Sequence, residues 1–147
     1  MREQMNTFNL NRFVKAQKRD FPLALEEIRS GRKTSHWMWY IFPQLKGLGY
    51  SGMSQYYGLD GVMEAAAYME DKTLRSNLIT ICQALLALEG KSADEIFGYP
   101  DNYKLRSCMT LFLRAAPDCP IFQEVLNKYF GGVEDEKTLR MLEKEAD

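Results

Sequence analysis

A chain of 147 residues, 46% hydrophobic and 27% charged, has the composition of an ordinary globular domain, which excludes a fibrous repeat and wholesale disorder. At this length one core buries roughly 70% of the surface the unfolded chain exposes, without help from a metal or disulfide. Its 19 basic and 20 acidic side chains leave a formal charge of -1, so no global field draws it to nucleic acid or to an anionic membrane.

No uninterrupted apolar run approaches the ~20 residues of a membrane helix, and the N-terminal MREQMNTFNLNRF lacks the apolar core of a secretory signal. Cys82, Cys108 and Cys119 are odd in number and lack a CxxC spacing, so they read as reduced thiols. The expected compartment is the cytoplasm. Apolar residues recur at helical spacing almost throughout, with no alternating β-branched run. That predicts an all-α fold: a single compact domain over 1–147, with about seven to nine helices and a Gly/aromatic loop segment.

In chain order, Asn9 can cap a helix to about Lys18, and a second helix from about Phe21 to Ser30 stops at Gly31, the two forming a short hairpin. A third helix capped by Thr34 or Ser35 must end near Phe42, before Pro43. Gly47, Gly49 and Gly52 then form a loop, followed by a short helix near Met53 to Tyr57 and a run capped by Asp60 that ends at Met69. Asp71 opens the clearest helix, in which Leu74, Leu78, Ile81 or Cys82, Leu85 and Leu88 make a core-facing stripe up to Gly90. Ser92 and Glu95 form a capping box for a helix to Phe97. Asp101 can cap the next helix, which Pro117 ends; Asp118 can cap another, which Gly131 and Gly132 end. A final charged helix spans about Asp135 to Glu145, with Leu139, Met141 and Leu142 as its apolar anchors.

The segment Gly31–Met53, GRKTSHWMWYIFPQLKGLGYSGM, holds both tryptophans and the sole histidine beside basic residues and glycines. Buried polar groups need partners and indoles seek them, so this mixture reads as the wall of a pocket. His36 is the acid/base candidate, because histidine is the residue type whose unperturbed pKa lies near neutrality and this is the chain's one histidine. Trp37 and Trp39 stand about 200° apart on a helix, so at most one can stack on a ligand while the other fills the core. Arg32 and Lys33 precede the third helix, where free amides suit an anion; Lys104, Arg106 and Ser107 can complete such a site if their helix packs beside it. Gln17 and Gln44 can read an amide or a hydroxyl. One histidine gives no zinc site, and neither a phosphate-cradling nor a dinucleotide glycine motif is present, so no metal or cofactor is indicated.

The pieces FNLNRFVKAQ from Phe8, the Gly31 segment, MSQYYGL from Met53, LLALEGKSADEIFG from Leu85 and DNYKLRSCMTLF from Asp101 resemble the bacterial family called domain of unknown function 1810, across nearly the whole chain. That resemblance implies an all-helical single domain and no particular activity. The calpastatin-like label carried by some members does not guide function, since such inhibition needs extended segments and this chain reads as folded. FVKAQK, Phe13 to Lys18, is similar to a short stretch of helical proteins that process NAD and ADP-ribose derivatives, without their histidine and acidic partner in the corresponding arrangement.

The leading expectation is a protein that binds a small anionic ligand, nucleotide- or ADP-ribose-derived, with hydrolysis as an extension through His36. The alternative is a noncatalytic module that grips another protein through its Trp/Tyr/Phe surface.

Overall fold

In the computed structural model, which describes residues 8–146, the first helix runs unbroken as α1 from Asn11 to Arg29. Residues 1–7, part of the stretch that lacks a secretory core, lie outside the described residues. The expected hairpin of two short helices is therefore corrected to one rod. Pro22 lies inside it and removes one backbone hydrogen bond. Yet Phe13, Ala16, Gln17, Ala24, Glu27 and Ile28 are buried at helical spacing on both sides of Pro22, and this continuous burial overrides the local defect. Asn9 does not cap it; Leu10 precedes the first turn with no side-chain bond.

Eight further helices follow among the described residues: α2 (Met38–Ile41), α3 (Gly52–Tyr56), α4 (Gly61–Glu70), α5 (Lys72–Ala87), α6 (Ala93–Phe97), α7 (Asp101–Ala115), α8 (Ile121–Phe130) and α9 (Glu136–Ala146). The fold is all-α, around one continuous core. Helix α7 packs on α4 and α8, α5 packs on α1 and α8, and α2 lies against α1. The Asp71 cap and the Ser92–Glu95 capping box form as expected, with Asp71 accepting from the Leu74 N–H at 3.0 Å. Leu74, Leu78, Ile81, Cys82 and Leu85 are all buried. In α9 the fully buried side chain is Thr138, which bonds Asp135 at 2.6 Å, while Leu139, Met141 and Leu142 are half-buried. No described helix is long and apolar enough to cross a membrane.

A small extended pairing ties the middle of the chain together: the Lys46 N–H donates to the Leu59 carbonyl and the Leu59 N–H to the Gln44 carbonyl, each at 2.9 Å. Its approach is so close that a Cβ on Gly58 would stand 2.6 Å from the Lys46 Cα, so only glycine fits. Gly31 is required differently, by a φ of 82° in the turn that leaves α1.

Cys82 and Cys108 are fully buried, and burial pushes both thiols up, whereas Cys119 is half-exposed. A thiol reagent added to native protein is expected to modify one cysteine, Cys119, quickly, and the other two only on unfolding. Rapid modification of Cys82 or Cys108 would contradict this packing.

Candidate functional site

The segment after α1 is organised by one side chain. Glu27, buried on α1, accepts from the Thr34 N–H at 2.8 Å, the Ser35 N–H at 3.0 Å, the Ser35 hydroxyl at 2.5 Å and the Trp37 indole N–H at 2.9 Å. These bonds replace the helix start expected at Thr34 or Ser35: their amides point at Glu27, and only the single turn Met38–Ile41 is helical. Arg32 and Lys33, expected beside that helix start, precede instead the loop bound to Glu27. Arg32 is exposed, and the Lys33 ammonium pairs with Asp101 at 2.9 Å.

The structure separates the expected site residues. His36 is exposed on the surface. Trp37 is 1% exposed, its indole N–H taken by Glu27, which makes it the core-filling member of the tryptophan pair. Gln17 is buried and satisfied, donating to the Tyr40 carbonyl and the Tyr68 hydroxyl at 2.8 Å each and accepting from Asn77 at 2.9 Å. Phe13, Ala16 and Gln17 of the FVKAQK stretch are thus all core residues here. Tyr40 donates to Asp20; burial, reinforced by that bond, pushes its hydroxyl up to about 12 and keeps it protonated.

Trp39, Gln44 and Lys104 do converge. They line a narrow cleft with Met38, Phe42, Ser54, Tyr57 and Gly58, whose interior holds only about 10 Å³. Trp39 is half-buried, and the Lys104 ammonium lies 5.7 Å from its ring centre. Asp101 was expected to cap α7; instead its carboxylate joins Lys33 at 2.9 Å and Lys104 at 3.5 Å, so two ammonium groups share one carboxylate and one positive charge is left in excess. No hydrogen bond to another described residue occupies the Trp39 indole N–H, the Gln44 amide or the Tyr57 hydroxyl. Arg106 and Ser107 do not reach the cleft: Arg106 lies against Tyr103 and Phe130, and the Ser107 hydroxyl donates to the Tyr103 carbonyl at 3.2 Å.

Sequence reasoning missed Met38, Phe42, Ser54, Tyr57 and Gly58. The MSQYYGL stretch held three of them, but only the Gln44–Leu59 pairing reveals that it folds over Trp39. Among the described residues no group of three or more His, Cys, Asp or Glu is placed to hold a metal ion.

Residues 7–142 match a family described as protein of unknown function, DUF1810. The crystal structure of a conserved hypothetical protein from Mycobacterium tuberculosis is similar throughout, at 44% identity and a TM-score of 0.91, over 92% of this chain and 97% of that one. No curated protein matches the chain.

Glu27 sets a testable pH dependence. Burial raises its pKa, but the bonds from Ser35, Thr34 and Trp37 together outweigh burial and bring it from 4.5 to about 2. Because the folded pKa lies below the unfolded one, this stabilisation is complete above about pH 4.5 and is lost as pH falls toward 2. The shift corresponds to roughly 3 kcal/mol. Glu27→Gln is expected to lower stability at pH 7 by about 2 to 3 kcal/mol and to flatten the acid limb in denaturant titrations. An unchanged acid limb would contradict the assignment.

Proposed function

The chain belongs to the DUF1810 family, described as of unknown function, and we propose from the cleft beside Trp39 that it binds a small anion bearing a planar group. A nucleotide- or ADP-ribose-derived compound is the class of first choice. What carries the proposal is the Lys104 ammonium: it borders an aromatic-walled cleft and belongs to a group with one positive charge in excess. A planar ring lies against Trp39, its anionic end meets Lys104, and the Gln44 amide and Tyr57 hydroxyl offer hydrogen bonds to its edge. The cleft itself has room for about 10 Å³, little more than one water, against the roughly 300–1,000 Å³ of sites that enclose a drug-sized ligand, so the ring lies across its mouth and the remainder stays outside.

The reading is one of binding. Hydrolysis rests on His36 alone, and His36 is not among the residues that line the cleft. The three free thiols support a reducing, cytoplasmic setting.

Titration with ADP-ribose, AMP and benzoate, followed by tryptophan fluorescence, tests the proposal, because Trp39 is the more exposed of the two indoles. Saturable quenching by at least one of these anions is expected. Lys104→Met is expected to weaken it about tenfold, in keeping with one charge-assisted contact, and Trp39→Ala to remove the response. Absence of saturation with all three, or undiminished affinity of the Lys104→Met protein, would contradict the proposal.

A further inference from the structure

Beside the Trp39 cleft lies a second, larger hollow of about 340 Å³, within the size of cavities that hold small ligands. Gly58 lines both. Part of its wall is the Arg12–Glu64 ion pair, closed at 2.9 Å, with side chains 8% and 4% exposed. The Arg12 guanidinium also donates to the Asn9, Tyr56 and Gly58 carbonyls, and Glu64 accepts from the Asp60 N–H at 2.7 Å. These bonds tie the start of α1 to the end of α3 and the start of α4, and the charges of the pair cancel.

Other groups around the hollow remain available. Asp60 stands where a residue would cap α4, the task the sequence suggests for it, yet its side chain makes no capping bond. Glu64 takes its N–H, and the Val62 N–H donates at 3.0 Å to Glu145 of α9, whose carboxylate sits where Gly61 has no Cβ. Asp60 lines the hollow, as does Lys46, and the two form no ion pair with each other or with another described residue. Asn9 and Gln55 share this lining; the Gln55 Nε2 donates to the Tyr50 carbonyl, which leaves its Oε1 as an acceptor. Tyr56, 55% exposed and edge-on to Tyr57 at 4.8 Å, supplies an aromatic surface.

We propose that this hollow binds a sugar, a cyclic polyol whose hydroxyls donate to Asp60 and Gln55 and accept from Lys46 and Asn9, with one C–H face of its ring against Tyr56. Charge and chemistry select this class. Two cations, Arg12 and Lys46, and two carboxylates, Asp60 and Glu64, line the hollow, so its field favours neither an anion nor a cation. A zwitterion would surrender its strong hydration to reach Lys46 and Asp60, which are exposed and therefore gain little as ion-pair partners. A neutral polyol avoids that loss and matches a lining in which donors and acceptors are mixed. The two oxygens of Asp60 suit neighbouring hydroxyls, and the electronegative face of Tyr56 suits C–H groups. Tyrosine also has few torsions to lose on binding. The sugar site does not rest on the Trp39 reading, although Gly58 sets the two cavities side by side, within reach of one ligand that carries both a ring and a sugar.

The probe is D-ribose, titrated into the intact isotope-labelled chain while the Asn9 and Gln55 side-chain amides and the Trp39 indole are followed. Alanine, a zwitterion, and inorganic phosphate, an anion, serve as separate arms. Saturable shifts of the two amides with ribose alone are expected, weakened about tenfold in Asp60→Asn and also weakened in Tyr56→Ala, both changes at exposed sites outside the core. Lys104→Met is expected to leave ribose binding unchanged while it weakens anion binding at Trp39, so each reading can fail without the other. Absence of saturable shifts with ribose, an equal response to alanine or to phosphate, or undiminished binding by Asp60→Asn would overturn the proposal.

Discussion

A buried carboxylate is tolerated only when hydrogen bonds replace the water it has lost, and Glu27 meets that condition with four donors drawn from Thr34, Ser35 and Trp37. The rest of the candidate site depends on this constraint. The bonds hold the chain leaving α1 against α1 itself and pull the Trp37 indole into the core. The residues that follow are then delivered as one turn, with Met38, Tyr40 and Ile41 buried and Trp39 turned toward the cleft. Without the carboxylate, two backbone amides and an indole would need other partners in a segment that is mostly covered.

From that anchor the charges propagate outward. Lys33 lies between the Trp37 ring and Asp101, and its own N–H donates to the Ile96 carbonyl at 2.7 Å, so the loop is stitched to α6 and to the start of α7. Asp101 in turn steadies Lys104 beside Trp39. The Lys46–Leu59 pairing closes the opposite wall by laying Ser54, Tyr57 and Gly58 across Gln44. Helix α7 therefore contributes Lys104 to the cleft, while Arg106, two residues on, lies against Tyr103 and Phe130.

What could be read from the chain in advance was whatever follows from local rules. The stripe Leu74 to Leu85, the Asp71 cap and the Ser92–Glu95 box each need only neighbours within a few turns, and each is present. Local rules failed where a distant group supplied the partner. Thr34 and Ser35 have cap chemistry, but Glu27 claims their amides; Asp101 has cap chemistry, but Lys33 claims its carboxylate. In α1 burial on both sides of Pro22 prevailed over the proline.

The candidate site was legible in part for the same reason. Trp39, Gln44 and Lys104 meet in the cleft, whereas Gln17 and Trp37 have their polar atoms taken by protein partners and His36 stays on the surface. The split of Lys104 from Arg106 was within reach, because the rotation of about 200° that separates Trp37 from Trp39 on a helix applies equally to that pair. The tyrosine wall was not, since it depends on a pairing between Gln44–Lys46 and Leu59 that no periodicity announces.

Hydrogen exchange of the two indole N–H groups, followed together with the Thr34 and Ser35 amides, tests most directly that Glu27 anchors this region. The expected result is slow exchange of the Trp37 indole and both amides as one set, with the Trp39 indole exchanging rapidly. A Trp37 indole that exchanges as fast as that of Trp39 would contradict the account.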